Sequence, residues 1–148
     1  MIADARKASV PVMVDPFRLA DYRRYRGATV LTPNRWEAAR ASGVDIVDDA
    51  SLHRAAEQIA LVARADAVVI TLDREGVYLY DRAKGGRRVP TRPRSVYDGT
   101  GAGDATLAAL AVALADGWGL SDAADLANVA GGLEVEQFGV VPITRRQI

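Results

Sequence analysis

Short β-branched segments alternate with segments of helical periodicity along this sequence, and that alternation restricts the possible folds more than any other feature. Two apolar runs, at 10–14 and 28–32, each end at a loop that contains a proline. Runs of this length and composition are typical of buried parallel strands. The segment 35–42 has helical character and is followed by Gly43, a common residue just beyond a helix end. The pattern predicts an α/β layered fold with a mainly parallel sheet flanked by helices.

The rest of the chain extends this layered pattern. Residues 48–51 offer caps for a helix through Ala63, and the strands after it alternate as antiparallel strands do. The further predicted elements are strands at 67–72, 76–81 and 88–90, a helix from Ala102, and a helix capped by Ser121 that runs to about Gln137.

Charge and composition exclude several functional classes. The 148 residues hold 19 basic and 19 acidic side chains, so no net field favours nucleic acid or an anionic membrane. There is no cysteine and one histidine, His53, which leaves a hard cation held by oxygen as the only plausible metal. Charges among residues 1–7 and the absence of a long apolar run predict a cytoplasmic protein without membrane or nucleic-acid partners.

The segment 98–104 reads Asp-Gly-Thr-Gly-Ala-Gly-Asp and leads directly into an apolar helical pattern. Glycines permit positive φ and a close approach of the backbone to a ligand. The N-terminus of the following helix supplies unpaired N–H groups and the positive end of its dipole. Together these features predict a phosphate-binding seat. The segment lacks the Gly-Lys-Ser/Thr of a Walker loop and the surroundings of a dinucleotide fingerprint.

Asp104 has two interpretations at this stage. In the first, its carboxylate only favours the helix dipole, and Asp98 or Thr100 caps the helix. In the second, Asp104 accepts the proton of an attacking hydroxyl. The amides of residues 101–103 then stabilise the charge on the transferred phosphoryl group.

The same segment, followed by Ala-Thr-Leu-Ala-Ala-Leu-Ala, resembles the second signature of the ribokinase/PfkB family of carbohydrate kinases. The resemblance implies a ribokinase-like (Rossmann-like) fold and ATP-dependent phosphorylation of a sugar or sugar phosphate. It implies that Asp104 is the catalytic base, and that Asp98 and Thr100 lie in the nucleotide-binding loop. The residues of the implied anion hole are Gly101, Ala102 and Gly103.

A second constellation is the Asn-x-x-Glu spacing of Asn34 and Glu37. On its own this spacing indicates a helix start closed by a capping box. It also resembles the family motif that helps to position Mg²⁺ near the nucleotide phosphates. The two roles are compatible, because Mg²⁺ keeps several waters and takes few protein ligands.

Three further segments resemble nucleotide-contacting parts of the family. Thr71 and Gly76 match a Thr-x-Gly-x-x-Gly turn near the ATP phosphates and ribose, although Asp73 stands where glycine is commoner. The alternative is a Glu-Gly turn that joins two strands without any ligand. Asn128 resembles a position beside the adenine and is otherwise a helix-surface residue. The segment 138–142 resembles a loop that closes over the nucleotide, where some members hold a monovalent cation such as K⁺.

Within the family, residues 14–16 and 25–34 look most like the heptose-7-phosphate kinase domain of bifunctional ADP-heptose synthesis proteins. The resemblance covers residues 1–148 as the C-terminal, ATP-binding portion of such a domain, with the N-terminal half of the fold absent. We therefore expect an open sheet edge at 10–14 and an exposed apolar helix face. A homo-oligomer, or pairing with a chain that supplies the N-terminal half, would cover them. The rival functions are a nucleotide-binding fragment without kinase activity and a structural domain without a ligand.

Overall fold

The computed structural model describes residues 1–16, 21–91, 101–136, 142–144 and 146. Within these ranges the chain forms five strands, five α-helices and two single-turn 3₁₀ helices, Tyr22–Tyr25 and Asp73–Glu75. The strands are β1 Met13–Val14, β2 Val30–Leu31, β3 Ala67–Thr71, β4 Val77–Asp81 and β5 Gly85–Val89. The helices are α1 Ile2–Lys7, α2 Arg35–Ser42, α3 Asp49–Ala63, α4 Ala102–Ala115 and α5 Leu120–Glu134.

The strands form one sheet in the order β1-β2-β3-β4-β5. β1, β2 and β3 are parallel, whereas β3, β4 and β5 form an antiparallel meander. Parallel neighbours require crossover segments, and helices α2 and α3 lie in the crossover from β2 to β3. The carboxyl ends of the three parallel strands therefore meet at one edge of the molecule.

Helices cover both faces of the sheet. On one face, Leu31 and Ile70 pack with Leu52 and Ile59 of α3. On the other face, the next residues along the strands pack against α4 and α5, with Leu110 of α4 fully buried. This division follows from the two-residue period of a strand, which sends neighbouring side chains to opposite faces.

The predicted fold class and the predicted helices agree with this architecture, with differences at the element ends. β1 is shorter than the predicted run 10–14, since Pro11 has no N–H for a ladder and Val10 is half exposed. The prediction that Ser121 caps α5 is wrong. Gly119 occupies the N-cap, while the Ser121 hydroxyl and carbonyl accept hydrogen bonds from Arg87.

No helix within the described ranges combines the length and the apolar composition needed to cross a bilayer.

Candidate active site at the carboxyl ends of the parallel strands

The loops that follow the three parallel strands lie beside each other. Asp15 follows β1, Asn34 follows β2, and Thr71 ends β3. Asn34 and Thr71 form a parallel bridge, in which the Thr71 N–H donates to the Pro33 carbonyl over 3.0 Å. Open α/β sheets bind ligands in crevices outside the carboxyl ends of their strands. The fold therefore brings the predicted residues from β2 and β3 to the usual position of a site.

The N-terminus of helix α4 lies beside this edge, since the charge of Asp104 acts on Asp15. Gly101 is the N-cap residue and has φ +96°, a conformation that favours glycine. The N-cap glycine has no side chain to cap this end of α4, and the first-turn N–H groups of residues 102–104 have no intrahelical partner. A Cβ added to Gly103 would meet no atom within 4 Å, so the backbone there is open to close approach. The phosphate seat at these residues stays a prediction. Asp98 and Thr100 lie outside the described residues.

Asp104 occupies the first turn of α4 and its side chain is exposed. The pKa of Asp15 is raised above its ordinary value. Burial is the largest cause, the charge of Glu37 is the second, and the charge of Asp104 is the third. Asp15 after β1 is thus an electrostatic neighbour of Glu37, in the first turn of α2, and of Asp104, in the first turn of α4. An exposed carboxylate beside an anion seat can accept a proton from a hydroxyl presented there.

Asn34 and Glu37 form the predicted capping box at the start of α2. The Asn34 Oδ1 accepts from the Glu37 N–H over 2.9 Å, and the Glu37 Oε2 accepts from the Asn34 N–H over 2.9 Å. Glu37 is 9% exposed, so its carboxylate is held in one orientation inside the edge of the protein. The cap uses Oε2 and leaves Oε1 for a further partner.

This acidic arrangement suits a hydrated divalent cation. No group of three histidine or acidic side chains in the described ranges is close enough to enclose a metal. Mg²⁺ needs no such enclosure, because it is usually held by one or two carboxylates, waters and substrate phosphates. A cation beside Asp15 would relieve the repulsion of its carboxylate by Glu37 and by Asp104.

The Thr71–Gly76 turn is fixed by a close backbone approach. A Cβ at Gly76 would lie 2.1 Å from the Val89 carbonyl oxygen and 2.6 Å from the Thr91 nitrogen, and Gly76 has φ +93°. Packing alone thus accounts for this glycine. Asp73 adopts φ +52°, so the backbone retains a glycine-type conformation at the position where the family commonly has glycine. Aspartate tolerates this region better than most residues.

From the sequence alone, Asn128 would be a residue on the surface of a helix, but in the structure it is buried. It is 8% exposed, and its Nδ2 donates to the Pro90 carbonyl over 3.1 Å. This bond ties α5 to the end of β5, while the Oδ1 remains as an acceptor. Of the predicted closing loop, residues 138–141 lie outside the described part of the chain, and Pro142 is exposed.

Two groups at this edge were not selected from the sequence. Asp15 was noted only for its resemblance to one branch of the family, although an aspartate directly after a buried strand is itself a signal for a site. The Tyr22 hydroxyl is buried and has no hydrogen-bond partner among the described residues. Burial raises the pKa of Tyr22, and the charge of Glu37 raises it further. No sequence pattern identified it.

A groove of about 850 Å³ runs along α4 and α5 from the site. Gly101 and Asp104 lie at one end, and Trp118 lies at the other. Its walls between these ends are mainly apolar side chains of the two helices, namely Ala105, Ala108, Ala109, Val112, Leu126 and Ala130. We refer to this feature as the α4–α5 groove.

Comparison with known structures identifies the fold. Arabidopsis thaliana ribokinase, solved with ribose and ATP, superposes with a TM-score of 0.84 at 25% identity. The match covers 94% of this chain and 46% of the ribokinase chain. Escherichia coli phosphofructokinase-2, solved with potassium, gives a TM-score of 0.85 at 20% identity, over 99% of this chain and 48% of that chain. The predicted ribokinase-like fold is therefore confirmed.

Sequence comparison leads to the same family. The bifunctional protein HldE of Geobacter sulfurreducens is 50% identical over all 148 residues, which span 30% of that protein. The HldE protein of Geobacter metallireducens is 49% identical over the same length and also 30% covered. The pfkB family carbohydrate kinase profile matches residues 1–145. Because this match spans nearly the whole sequence, the chain belongs to the pfkB family of carbohydrate kinases.

Proposed function

We propose that this chain carries the ATP-binding and phosphoryl-transferring part of a carbohydrate kinase. The observation that supports this most is the position of Asp104, an exposed carboxylate in the same helical turn as the Gly101–Gly103 amides. A phosphate seat and a proton acceptor on adjacent residues are the two functions that transfer to a hydroxyl requires.

In the proposed reaction, a sugar hydroxyl oxygen attacks the γ-phosphorus of ATP. The bond from that phosphorus to the β,γ-bridging oxygen breaks, ADP leaves, and the hydroxyl proton passes to the Asp104 carboxylate. The amides of Gly101, Ala102 and Gly103 donate to the phosphoryl oxygens as negative charge develops there. Thr71 and Gly76 lie near the phosphates and ribose, and Asn128 borders the adenine. Asp98 and Thr100 belong to the phosphate-binding loop.

Asn34 and Glu37 are the proposed metal support. Mg²⁺, when bound, would neutralise the β- and γ-phosphate oxygens. The capping box fixes Glu37 before any ion arrives, since both of its bonds lie within the first turn of α2. A monovalent cation such as K⁺ belongs to the proposed closing loop.

The acceptor is proposed to be a sugar or sugar phosphate of the heptose-7-phosphate type. Identity of 50% to HldE over the full chain supports this branch of the family. The cytoplasm is the proposed location, since ATP and sugar phosphates are cytoplasmic metabolites. A homo-oligomer, or pairing with a chain that supplies the N-terminal half of the fold, is the proposed cover for the open edge of β1.

Coupled detection of ADP tests the reaction. Heptose 7-phosphate, ribose and fructose 6-phosphate are offered with Mg-ATP. Asp104→Asn should lower kcat by roughly 10²- to 10⁴-fold, because the amide cannot accept the proton. The matched control is Asp122→Asn, an exposed acid in the first turn of α5 that lies outside the site. Equal turnover by Asp104→Asn and wild type would refute Asp104 as the base.

A thermal shift with Mg-ATP distinguishes the rival functions. Ligand binding to the folded state raises the melting temperature, so both a kinase and a nucleotide-binding fragment should respond. The melting temperature of a structural domain without a ligand should not change. A clear shift without ADP release for any sugar would support the fragment, which is the second candidate function.

A further inference from the structure

A network of four charged side chains joins the turn between β3 and β4 to the start of α2. The Arg35 Nη2 donates to the Glu75 Oε1 over 2.5 Å, and the Arg88 Nη1 donates to the Glu75 Oε2 over 2.7 Å. Arg88 also donates to the Asp49 Oδ1, through its Nη2 over 2.5 Å and its Nε over 3.0 Å. We call these four residues the Glu75 network. Its two positive and two negative charges cancel, so the network carries no net charge for a free ion to neutralise.

The Arg35–Glu75 pair spans two segments that have separate roles in the proposed site. Arg35 directly follows Asn34 as the first residue of α2, and Glu75 directly precedes Gly76 in the turn. The Thr71 N–H donates to the Pro33 carbonyl over 3.0 Å at the other end of the turn. The turn and the start of α2 are thus joined both by a backbone bond and by an ion pair.

The position of Arg35 is unfavourable for a helix by itself. The first turn of a helix lies at the positive end of its dipole, where acidic side chains are stabilising and basic ones are not. Asp49 is in the opposite situation, since an acid in the first turn of α3 is favourable there without a partner. Glu75 provides the negative charge that Arg35 lacks within α2. Contact with the turn therefore accounts for Arg35 better than its own helix does.

The turn is a segment that needs support from outside. Asp73 has φ +52° and Gly76 has φ +93°, and a positive φ is uncommon for a residue other than glycine. Isolated exposed ion pairs contribute little to stability, whereas networks with ordered arginines contribute more. The side chains of Arg35 and Arg88 are 30% and 28% exposed, so both are partly shielded from water. Glu75 is therefore held from α2 by one arginine and from β5 by the other.

We propose that Arg35 and Glu75 are positioning residues, which hold the Thr71–Gly76 turn at one spacing from the Asn34–Glu37 box. The positioning is a property of the ligand-free chain. Its consequence for the nucleotide rests on the proposed function, in which the turn lies near the phosphates and the box supports the metal. A ligand that engages both segments binds best when their spacing is fixed beforehand. The pair then sets how strongly Mg²⁺ binding and ATP binding reinforce each other.

The alternative role for Arg35 is a direct contact with a phosphate. Its Nη2 already donates to Glu75, and a move toward a ligand would leave the Glu75 Oε1 without that bond. The two roles differ in their dependence on the metal. A direct ion pair with a phosphate contributes with or without Mg²⁺, whereas positioning of the turn against the box contributes mainly when Mg²⁺ is present.

Hydrogen exchange in the ligand-free protein tests the positioning. The Glu75 N–H donates to the Leu72 carbonyl over 3.0 Å within the turn, so its exchange reports whether the turn is held. Arg35→Gln should speed up this exchange at least about fivefold, because the turn loses its side-chain contact with α2.

The matched control is Asp125→Asn. Asp125 pairs with Arg87 over 2.9 Å, so the substitution removes an ion pair from the residue of β5 next to Arg88, toward α5 instead of the turn. It should leave the exchange of the Glu75 N–H unchanged. Unchanged exchange in Arg35→Gln, or an equal increase in both variants, would overturn the proposal. Circular dichroism verifies that the variants fold.

Calorimetric titration with ATP, in MgCl₂ and in EDTA, tests the consequence for the nucleotide. The ratio of the two Kd values is the factor by which Mg²⁺ tightens ATP binding. Arg35→Gln and Glu75→Gln should each lower this factor at least about threefold, and the double variant no further than either single one. Arg35→Lys should retain it, because the bond to Glu75 uses one nitrogen. Equal weakening in MgCl₂ and in EDTA would overturn the positioning role in favour of a direct phosphate contact.

Failure of the proposed function gives a different result from failure of this inference. A wild-type chain that binds Mg-ATP but releases no ADP with any sugar refutes the proposed function, while the exchange and calorimetric results still decide the positioning. A wild-type chain that binds no ATP refutes the proposed function together with the consequence for the nucleotide. The exchange of the Glu75 N–H then decides whether the pair holds the turn.

Discussion

Asp15 shows how a residue acquires its properties from partners that are distant along the chain. It follows a two-residue strand, and its pKa is raised by burial and by the charges of Glu37 and Asp104. The sequence places these three acids in different segments, and only the parallel arrangement of β1 and β2 with α4 brings their charges together. The Asn34–Glu37 box was predictable because its hydrogen bonds lie within one helical turn. The proximity of Asp15 to Asp104 was not predictable, because it is purely tertiary.

The raised pKa of Asp15 predicts a pH-dependent effect on stability. The folded protein disfavours the ionised carboxyl, so stability falls as pH rises from the ordinary value of 3.8 through the folded pKa. Asp15→Asn should therefore raise the urea midpoint at pH 7 and leave it unchanged near pH 3. EDTA is included so that no cation masks the repulsion.

Salt provides the control for that experiment. The Asp15 side chain is solvent-accessible, so the part of the effect due to Glu37 and Asp104 should shrink in high salt. A variant less stable than wild type at pH 7 would show that the Asp15 carboxylate makes a favourable contact in the folded protein.

At the scale of elements, α2, α3, β3 and β4 were predictable to within a residue or two, whereas β1, β2 and the end of α5 were not. α2 begins after the Asn34 cap and ends at Gly43, which has φ +70°. Such local signals are sufficient for a helix end. At β1 and β2 we predicted strands of five residues, but each strand has two residues. The length of a strand depends on how far the neighbouring strand pairs with it. The Ser121 error has a related cause, because Arg87 of β5 engages that hydroxyl from another element.

The contact between α4 and α5 predicts opposite effects for two helical glycines. A Cβ at Gly131 would lie 2.3 Å from the Thr106 Oγ1 and 3.2 Å from the Ala102 carbonyl oxygen. Gly131→Ala should therefore cost about 1–3 kcal/mol of unfolding free energy by overpacking. It should also weaken Mg-ATP binding, because it pushes on the first turn of α4.

Gly103→Ala is the matched control for stability. Its Cβ would enter open space, so the loss of glycine from a helix should stabilise by up to about 1 kcal/mol. Urea unfolding of both variants measures these values. Destabilisation of similar size in the two variants would show that the close approach of α5 to α4 does not govern the effect.

At the scale of the whole molecule, the protection of backbone amides against hydrogen exchange should differ between the two sides of the sheet. β3 lies between β2 and β4 and its first four residues are buried, whereas β1 is two residues long and paired on one side. The layered architecture was predictable from the alternation of strands and helices. The asymmetry depends on which strand occupies the edge, and sheet order is a property of the assembled fold.

Native-state hydrogen exchange tests this asymmetry in the isolated chain. We expect Val69 of β3 to exchange at least about 100-fold more slowly than Met13 of β1, since an edge opens without disrupting the core. Equal protection of both amides would mean that the edge is covered. Repeating the measurement at tenfold lower protein concentration then shows whether self-association covers it.

Asp104, Ala108 and Val112 lie along one side of α4, so two exposed apolar residues stand beside the proposed base. A substitution at Ala108 or Val112 that changes association through this surface would be recorded as a loss of turnover and misassigned to the chemistry. Mass action separates the two causes, because an effect of association varies with protein concentration, whereas the effect of a substitution at Asp104 does not. Rates measured for variants along this helix are therefore interpretable only as titration series.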